Sequence, residues 1–259
     1  LHDVAARRGV PILERWRYER AVARLDPSKD WREALSGKRR RDLGRHARRI
    51  TAQLGDIELE DCAADPRAFE ELVEWEARSW KGDPDRGGEA LALSSDALAW
   101  YRSMVGELRD RGQLHLLRIT AGGRTVYMSM LFRFGNRVFS LIDAYDHAVS
   151  HLRPGNVGRA AVLDHFQAGP GPILLDSCMH PVHRQSTANL PHRAALVGLL
   201  LAPRCLVNKV AVRAAPAVRA LRAAPAVRAL RAAPAVRALR AVRRGRDRRA
   251  ATPTPPERP

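Results

Sequence analysis

Cysteine, lysine and long apolar runs are scarce in this chain of 259 residues. Its three cysteines are odd in number and widely spaced, which argues against a disulfide framework and favours a reducing compartment. The longest apolar run, Ala194 to Ala202, is too short to cross a bilayer, and no signal-peptide pattern is visible. These absences argue against a disulfide-stapled secreted domain and a helical membrane protein, and they predict a cytoplasmic globular protein.

Arginine dominates the charged residues: of 45 lysines and arginines only four are lysines, and the net charge is +17. The stretch 213–259 carries thirteen arginines against two acids, or +11, which leaves +6 for residues 1–212. The nonapeptide AAPAVRALR occurs there three times, and a proline every nine residues limits any helix to short pieces. We therefore predict a disordered or partly helical basic tail. Its arginines could contact nucleic acid or an anionic membrane surface; alternatively, the repeats are a solvated product of tandem duplication.

Hydrophobic periodicity and turn residues predict the elements of the globular part. The predicted strands are a weak one at 20–25 and others at 57–61, 113–120, 125–134, 137–144, 173–176 and 194–201. The main predicted helices begin after Ser36, at Pro66, after Ser94 or Ser95, and at Pro154. A meander that feeds a strand–helix–strand unit predicts a mixed sheet with helices packed on it, an α+β (α/β mixed sheet) fold.

The junction between the strand at 137–144 and the helix at Pro154 is the strongest candidate for a site. A helix N-terminus presents unpaired N–H groups and the positive end of the helix dipole, which together suit phosphate. Gly155 and Gly158 allow close approach of the backbone, and Arg153 adds a cation. An ordinary Pro-Gly turn before a core helix would give the same string.

The string SWKG, residues 79–82, ends an apolar-periodic helix that extends as far as Trp80. In a functional interpretation Trp80 forms the wall of a pocket and Lys81 faces a substrate. In the alternative interpretation the string is a C-terminal helix cap, with Lys81 close to the negative end of the helix dipole.

The succession SGKRRRDLGRHARR, FEELVEWEARSWKG, LHLLRITAGGRTVYMSM, LIDAYDHAVSHLRPG and ILLD resembles the CelD-like branch of the GNAT/FemAB-like acyltransferases. The resemblance implies a GNAT-type fold, in which the central strands of a splayed mixed sheet hold an acyl-CoA thioester. It also implies transfer of the acyl group of acetyl-CoA or another acyl-CoA, without a metal, to a small-molecule or polysaccharide-linked amine. We expect this domain at 30–212, after a segment 1–29 interpreted as the remnant of a preceding half.

The positions that match the family, together with the chemistry of the strand–helix junction, give candidate site residues, whose roles are our own physical interpretation. Asp146 is the expected general base, and Tyr145 would protonate the leaving thiolate or orient the acceptor. The expected acyl-CoA contacts are Arg153, Pro154, Gly155, Asn156 and Gly158. The expected contacts with the acceptor substrate are Trp80, Lys81 and Asp176.

Two departures leave other functions open. Ordinary GNAT enzymes bind the CoA pyrophosphate with Q/R-x-x-G-x-G/A, whereas residues 153–158 read RPGNVG, with the first glycine one place early. A FemAB-like transfer of an aminoacyl group from tRNA is one alternative, and a degenerate basic scaffold that binds nucleic acid or membrane is another. Cys178, His180 and His183 lie close in sequence but match no usual zinc spacing, and the basic helix at 38–49 lacks the aromatics typical of nucleic-acid binding.

Overall fold

A computed structural model describes residues 2–8, 10, 12–180 and 188–201 of the chain. The predicted basic tail at 213–259 lies outside the described residues. The described residues divide into two units, one of residues 18–196 and the other of the described parts of 1–17 and 197–201. All side chains of the candidate site belong to the larger unit, and the domain boundaries expected from the sequence stay predictions.

Seven strands and five α-helices follow one another along the described chain. The helices are α1 (His2–Arg7), α2 (Gly37–Leu54), α3 (Ala68–Ala77), α4 (Ser95–Asp110) and α5 (Pro154–Gln167). The strands are β1 (Ile12–Leu25), β2 (Ile57–Asp61), β3 (Leu114–Ala121), β4 (Arg124–Phe134), β5 (Arg137–Tyr145), β6 (Ile173–Asp176) and β7 (His192–Leu201). Among the described helices, none is both long enough and apolar enough to span a bilayer.

The strands form one sheet in the order β2-β3-β4-β5-β6-β1-β7. The pairs β2–β3, β3–β4, β4–β5 and β1–β6 are antiparallel, whereas β5 and β6 are parallel. A parallel pair needs a long crossover, and α5 is the helix of that connection. The mixed sheet with packed helices, which the sequence pattern predicts, is confirmed, and its architecture matches the GNAT-type fold.

Helices cover both faces of the sheet. Leu117, Ile119 and Tyr127 pack with residues of α2 and α5 in one core, whereas Leu116 and Met128 pack with residues of α3 and α4 in the other. Neighbouring residues of a strand point to opposite faces, so the two cores lie on either side of β3 and β4. This double coverage explains the continuous buried run of β4, which a one-sided strand would not show.

Serine residues begin two of the helices, as the sequence predicts. The hydroxyl of Ser36 accepts the N–H of Arg39 at the start of α2, and that of Ser94 accepts the N–H of Ala97 at the start of α4. The apolar spacing extends α3 to Trp80, but the helix ends at Ala77.

The SWKG string forms a short 3₁₀ turn after α3. The backbone of Ser79 is extended, and its hydroxyl donates to the carbonyl of Glu76 (2.7 Å) and accepts the N–H of Lys81 (3.1 Å). Gly82 lies so close to α3 that an added Cβ would come 1.8 Å from the carbonyl oxygen of Ala77. The serine and the glycine therefore turn the chain sharply at this point.

The contact between Gly158 on α5 and the ring of Tyr127 on β4 allows the packing of α5 on the sheet to be tested. An added Cβ at Gly158 would lie 2.2 Å from the ring, and Tyr127 is only 1% exposed. We expect Gly158→Ala to lower the free energy of unfolding by about 1–3 kcal/mol, because α5 must move off the sheet. Urea unfolding measures this change.

Gly106→Ala is the matched control, since Gly106 lies in α4 and nothing lies within 4 Å of its added Cβ. Here we expect a gain of up to about 1 kcal/mol from helix propensity. Equal changes in the free energy of unfolding for the two variants would contradict the packing of α5 on Tyr127.

Candidate active site

The free edge of β5 is the centre of the candidate site. β6 pairs only with the first residues of β5 and then ends, whereas β5 continues to Tyr145. The N–H of Asp146 donates to the carbonyl of Val126 on β4 at 3.0 Å. Because backbone groups alternate along an antiparallel pair, those of Asp143 and Tyr145 point away from β4, to the edge that β6 has left. Nζ of Lys81 already donates to the carbonyl of Asp143 there, so the N–H of Tyr145 is the group through which this edge can bind a ligand.

The carboxylate of Asp143 is buried at this edge and is surrounded by donors. Its Oδ2 accepts from Nε of Arg159 (2.8 Å) and from the hydroxyl of Tyr127 (3.3 Å), while Nζ of Lys81 lies 3.7 Å from Oδ1. Burial by itself raises the pKa of Asp143, but the cations of Arg159 and Lys81 outweigh it and hold that pKa below its usual value. Burial and the charge of Asp143 raise the pKa of Tyr127, so its hydroxyl keeps its proton.

Lys81 links this carboxylate to a second buried acid. Its Nζ donates to the backbone carbonyl of Asp143 at 2.8 Å and to Oε1 of Glu76 at 3.3 Å. The other carboxylate oxygen of Glu76 accepts the N–H of Leu91 at 3.0 Å. Glu76, Lys81, Asp143 and Arg159 thus form a chain of alternating charges, which we call the charge cluster. The sharp turn after α3 places the side chain of Lys81 against β5.

A basic cleft of about 590 Å³ lies between α2 and the start of α5. Both helices contribute its cationic and histidine side chains, which are Arg39, Arg45, His46, Arg153 and Arg159. Among the described lining residues the single acid is Asp42, which pairs with Arg45 at 2.7 Å. The cleft therefore has a positive potential that favours an anion.

The N-terminus of α5 opens into the basic cleft. Arg153 precedes it in the left-handed conformation (φ 63°, ψ 47°), Pro154 is its first residue, and no side chain caps it. Gly155 lies against Tyr145, with an added Cβ 3.4 Å from the ring. Pro154 has no N–H, and Asn156 and Val157 donate theirs to the carbonyl of Arg153 at 3.0 Å and 3.4 Å. The N–H of Gly155, the helix dipole and the nearby arginines make this end of α5 suited to phosphate.

Asn189 fixes the two walls of the cleft relative to one another. It is 1% exposed, its Oδ1 accepts from Nε of Arg39 (3.0 Å), and its Nδ2 donates to the carbonyl of Asn156 (3.0 Å). His46 lies nearby, and its buried Nδ1 has no hydrogen-bond partner among the described residues. Burial, followed by the charge of Arg45, lowers the pKa of His46, so its imidazole is neutral at pH 7.

A second cleft of about 370 Å³ lies beside the loop after β5, and we call it the loop cleft. Asp146 lines it and uses both carboxylate oxygens: Oδ2 accepts from Nε of Arg124 (2.7 Å) and Oδ1 accepts the N–H of Ala148 (2.9 Å). The ring of Tyr145 stacks on that of His147, with centroids 4.6 Å apart. Tyr145 lines both clefts, so the two clefts adjoin at this residue.

The structure brings most of the predicted site residues together around Tyr145. Those in the basic cleft are Arg153, Pro154, Gly155 and Asn156, and Asp146 lies in the loop cleft. Gly158 instead faces the ring of Tyr127. Trp80, which is 44% exposed, and Asp176, which pairs with Arg20 at 2.6 Å, line neither cleft.

Sequence analysis missed four residues of the site. Asp143 sits in an apolar strand pattern, and the partners that would reveal it are remote in sequence. Glu76 and Arg159 occupy helix positions that look solvated, and Asn189 lies in a stretch without periodicity. The one available signal was Asp143, a charged residue inside the otherwise apolar string LIDAY.

Several solved structures are similar to this chain at low sequence identity. A conserved protein of unknown function from Bacteroides thetaiotaomicron VPI-5482 has a TM-score of 0.50 and 13% identity, over 78% of this chain and 66% of its own. FemX has a TM-score of 0.45 and 9% identity, over 68% of this chain and 59% of its own. L-PGS from Bacillus licheniformis has a TM-score of 0.45 and 12% identity, over 82% of this chain and 74% of its own. The chain thus spans less than two thirds of the first two proteins.

The sequence comparisons give the family. No curated protein matches the chain. Residues 37–176, more than half of the sequence, match the profile of a family described as an acetyltransferase (GNAT) domain. The match begins with α2 and ends with β6, so it contains both walls of the basic cleft, the charge cluster and the free edge of β5. The chain belongs to the GNAT acetyltransferase-domain family.

Proposed function

We propose that this protein is an N-acyltransferase that moves an acyl group from acetyl-CoA or another acyl-CoA to an amine. The acceptor is a small-molecule or polysaccharide-linked amine, as in the CelD-like branch that the sequence resembles. The observation that supports this most is the uncapped start of α5, which opens into the basic cleft beside the free edge of β5. A phosphate site and a strand edge side by side suit a donor with a phosphorylated end and an amide-bearing arm.

The residues of the basic cleft fit the phosphates of CoA. Arg153 and Arg39 supply cations, and Gly155, which lines the same cleft, would add its N–H at the positive end of the α5 dipole. Pro154, Gly155 and Asn156 form the first turn, in which the glycine allows the closest approach. The glycine that is one place early in RPGNVG fits this geometry, because Gly155 meets the cleft while Gly158 serves the packing of α5.

The free edge of β5 suits the amide-bearing arm and the thioester. The N–H of Tyr145 points to this edge and would donate to the acyl oxygen, on which negative charge develops during transfer. Lys81, predicted as a substrate contact, acts in this proposal as a positioning residue, since it is bound to Asp143. The charge cluster thereby fixes the strand against which the acyl group lies.

The loop cleft would receive the amine and present its nitrogen to the thioester where the two clefts meet, at Tyr145. The amine nitrogen attacks the thioester carbonyl, the new C–N bond forms, and the C–S bond breaks. Asp146 takes the proton from the amine, and the hydroxyl of Tyr145 donates a proton to the thiolate. A carboxylate has four lone-pair sites, so the bonds from Arg124 and Ala148 leave Asp146 able to accept another proton. Contacts of Trp80 and Asp176 with the acceptor stay predictions.

Removal of the charge of Arg153 tests the phosphate site. We expect Arg153→Gln to weaken binding of acetyl-CoA by about tenfold in isothermal titration, because one charge-assisted contact with phosphate is lost. Arg48→Gln is the matched control: Arg48 is exposed on α2 and lines a shallow depression outside the basic cleft. It should change the dissociation constant less than twofold.

Titration with longer acyl-CoAs and with tRNA distinguishes the alternatives. Binding of tRNA to the full chain that is sensitive to Arg153→Gln, with no binding of any acyl-CoA, would favour aminoacyl transfer from tRNA. Failure to bind any of these ligands in the cleft would overturn both transferase proposals and leave the basic scaffold.

The proposed base is tested with Asp146→Asn. We expect kcat for transfer to an amine to fall by about 100-fold or more, with loss of the acidic limb of the pH profile, because the proton acceptor is removed. Arg124→Gln is the control, since it breaks the ion pair but keeps the carboxylate, and it should retain the pH profile. Equal loss in both variants would make Asp146 a positioning residue, and an unchanged rate in Asp146→Asn would remove it from the mechanism.

The charge cluster makes a prediction about stability and pH. Asp143→Asn leaves Lys81 and Arg159 without their shared partner, which should cost about 3–5 kcal/mol at pH 7. The pKa of Asp143 is lower in the folded protein than the value of about 3.9 in the unfolded chain. The stability that ionised Asp143 contributes is therefore fully present above the unfolded pKa and is lost as the pH falls through the lower, folded pKa.

Urea unfolding of the wild type and Asp143→Asn from pH 7 to about pH 2.5 measures this. The difference between their free energies of unfolding should stay constant down to about pH 4 and narrow as the pH falls further. A difference that is independent of pH would show that Asp143 does not stabilise the fold as an anion.

A further inference from the structure

A second group of ligating side chains lies at the far end of α5 from the basic cleft. Asp61 ends β2, His115 lies on β3, and His165 lies in the last turn of α5. One donor atom from each side chain lies within 4.8 Å of the other two. Across the described ranges, 2–180 with two gaps and 188–201, no other three His, Cys, Asp or Glu side chains meet in this way.

The carboxylate of this group is already held in place. Oδ1 of Asp61 accepts the N–H groups of Ala63 and Leu116, each at 3.1 Å, and Oδ2 lies 2.6 Å from Nδ1 of His115. Carboxylates that bind metal ions are commonly oriented by hydrogen bonds from neighbouring groups. Asp61 therefore presents one oxygen in a fixed direction to the two imidazoles.

The imidazoles are positioned by an aromatic side chain. The ring of Phe166 meets those of His115 and His165 edge to face, with centroids 5.0 Å and 5.1 Å away. The two imidazole centroids are 6.1 Å apart. Both histidines are half-buried and Asp61 is exposed, so the group has rigid walls and an opening to water.

We propose that Asp61, His115 and His165 bind a divalent transition-metal ion of the zinc class, with water as the fourth ligand. Imidazole nitrogen and carboxylate oxygen bind Zn²⁺ at about 2.0–2.2 Å, which places donors roughly 3.3 Å apart in a tetrahedron. The most distant donors must draw together by about 1.5 Å at most, while Oδ2 of Asp61 and Nδ1 of His115, 2.6 Å apart, must separate slightly. Rotations of these partly exposed side chains allow both changes. A three-residue set with an open position also suits Co²⁺, which serves as a spectroscopic probe.

This ion would hold the fold together without taking part in acyl transfer. From Pro154 at the basic cleft to His165 the helix rises about 16 Å, which puts the ion far from the free edge of β5. The three ligands come from β2, β3 and α5, so the ion would fasten the end of α5 to the edge of the sheet. The sequence predicted no metal site because successive ligands, Asp61, His115 and His165, are about 50 residues apart and form no recognisable motif.

Zinc titration of the full chain, freed of metal with a chelator, tests the proposal. We expect one site with a dissociation constant in the micromolar range or tighter, and a rise of several degrees in Tm at saturating Zn²⁺. Co²⁺ should give the strong visible absorption of a four-coordinate ion. His165→Gln should weaken binding of both ions at least tenfold and abolish the rise in Tm.

His151→Gln is the matched control, because His151 is an exposed histidine in the turn before α5, and it should bind zinc as the wild type does. Asp61→Asn, which keeps the shape of the side chain, is the second variant, and circular dichroism checks that each protein is folded. Absence of zinc binding, unchanged binding in folded His165→Gln and Asp61→Asn, or loss of binding in Cys178→Ser instead would overturn the proposal. None of these results depends on whether acyl-CoA binds.

Discussion

The pairing of buried Asp143 with Lys81 and Arg159 is the interaction on which the candidate site depends. It joins the turn after α3, the free part of β5 and the helix α5, three elements that the sheet alone does not hold together at this point. Charges in a protein interior are tolerated only when they are paired and hydrogen-bonded, so this cluster allows one arrangement of these elements and penalises others. The free edge of β5 stays open because its neighbours are fixed around it.

The sequence predicts the sheet well for a physical reason. Both faces of β3 and β4 are covered, so their residues form apolar runs bounded by Gly122 and by Gly135, which adopt positive φ in the two turns. Pro154 identifies a helix start because its fixed φ is tolerated in the first turn but not in the helix interior. Ser94 identifies one because its hydroxyl can cap an unpaired N–H of the first turn. The end of α3 is harder to predict, since the apolar spacing continues through Trp80 while the Ser79 side chain ends the helix.

The site is only partly predictable, because its residues are assembled from distant segments. The phosphate-facing turn at 153–156 is local, and a helix start with glycine and arginine is visible in the string itself. Asp143 is 62 residues from Lys81, and Asn189 is 150 residues from Arg39, so no periodicity connects either pair. The basic helix α2 has two sides: Arg39 and His46 line the cleft, whereas Lys38, Arg40, Arg41 and Arg48 line an adjoining depression, and Arg45 lines both.

Tyr145 is the wall common to the two clefts, and this has a kinetic consequence. In a transferase in which donor and acceptor meet across a single ring, both substrates are present when the acyl group moves, and no residue carries it in between. Such an enzyme passes through a ternary complex, so double-reciprocal plots at several acceptor concentrations intersect instead of running parallel. A ring that touches both ligands also makes the affinity for one depend on the presence of the other, and by reciprocity the dependence is the same in both directions.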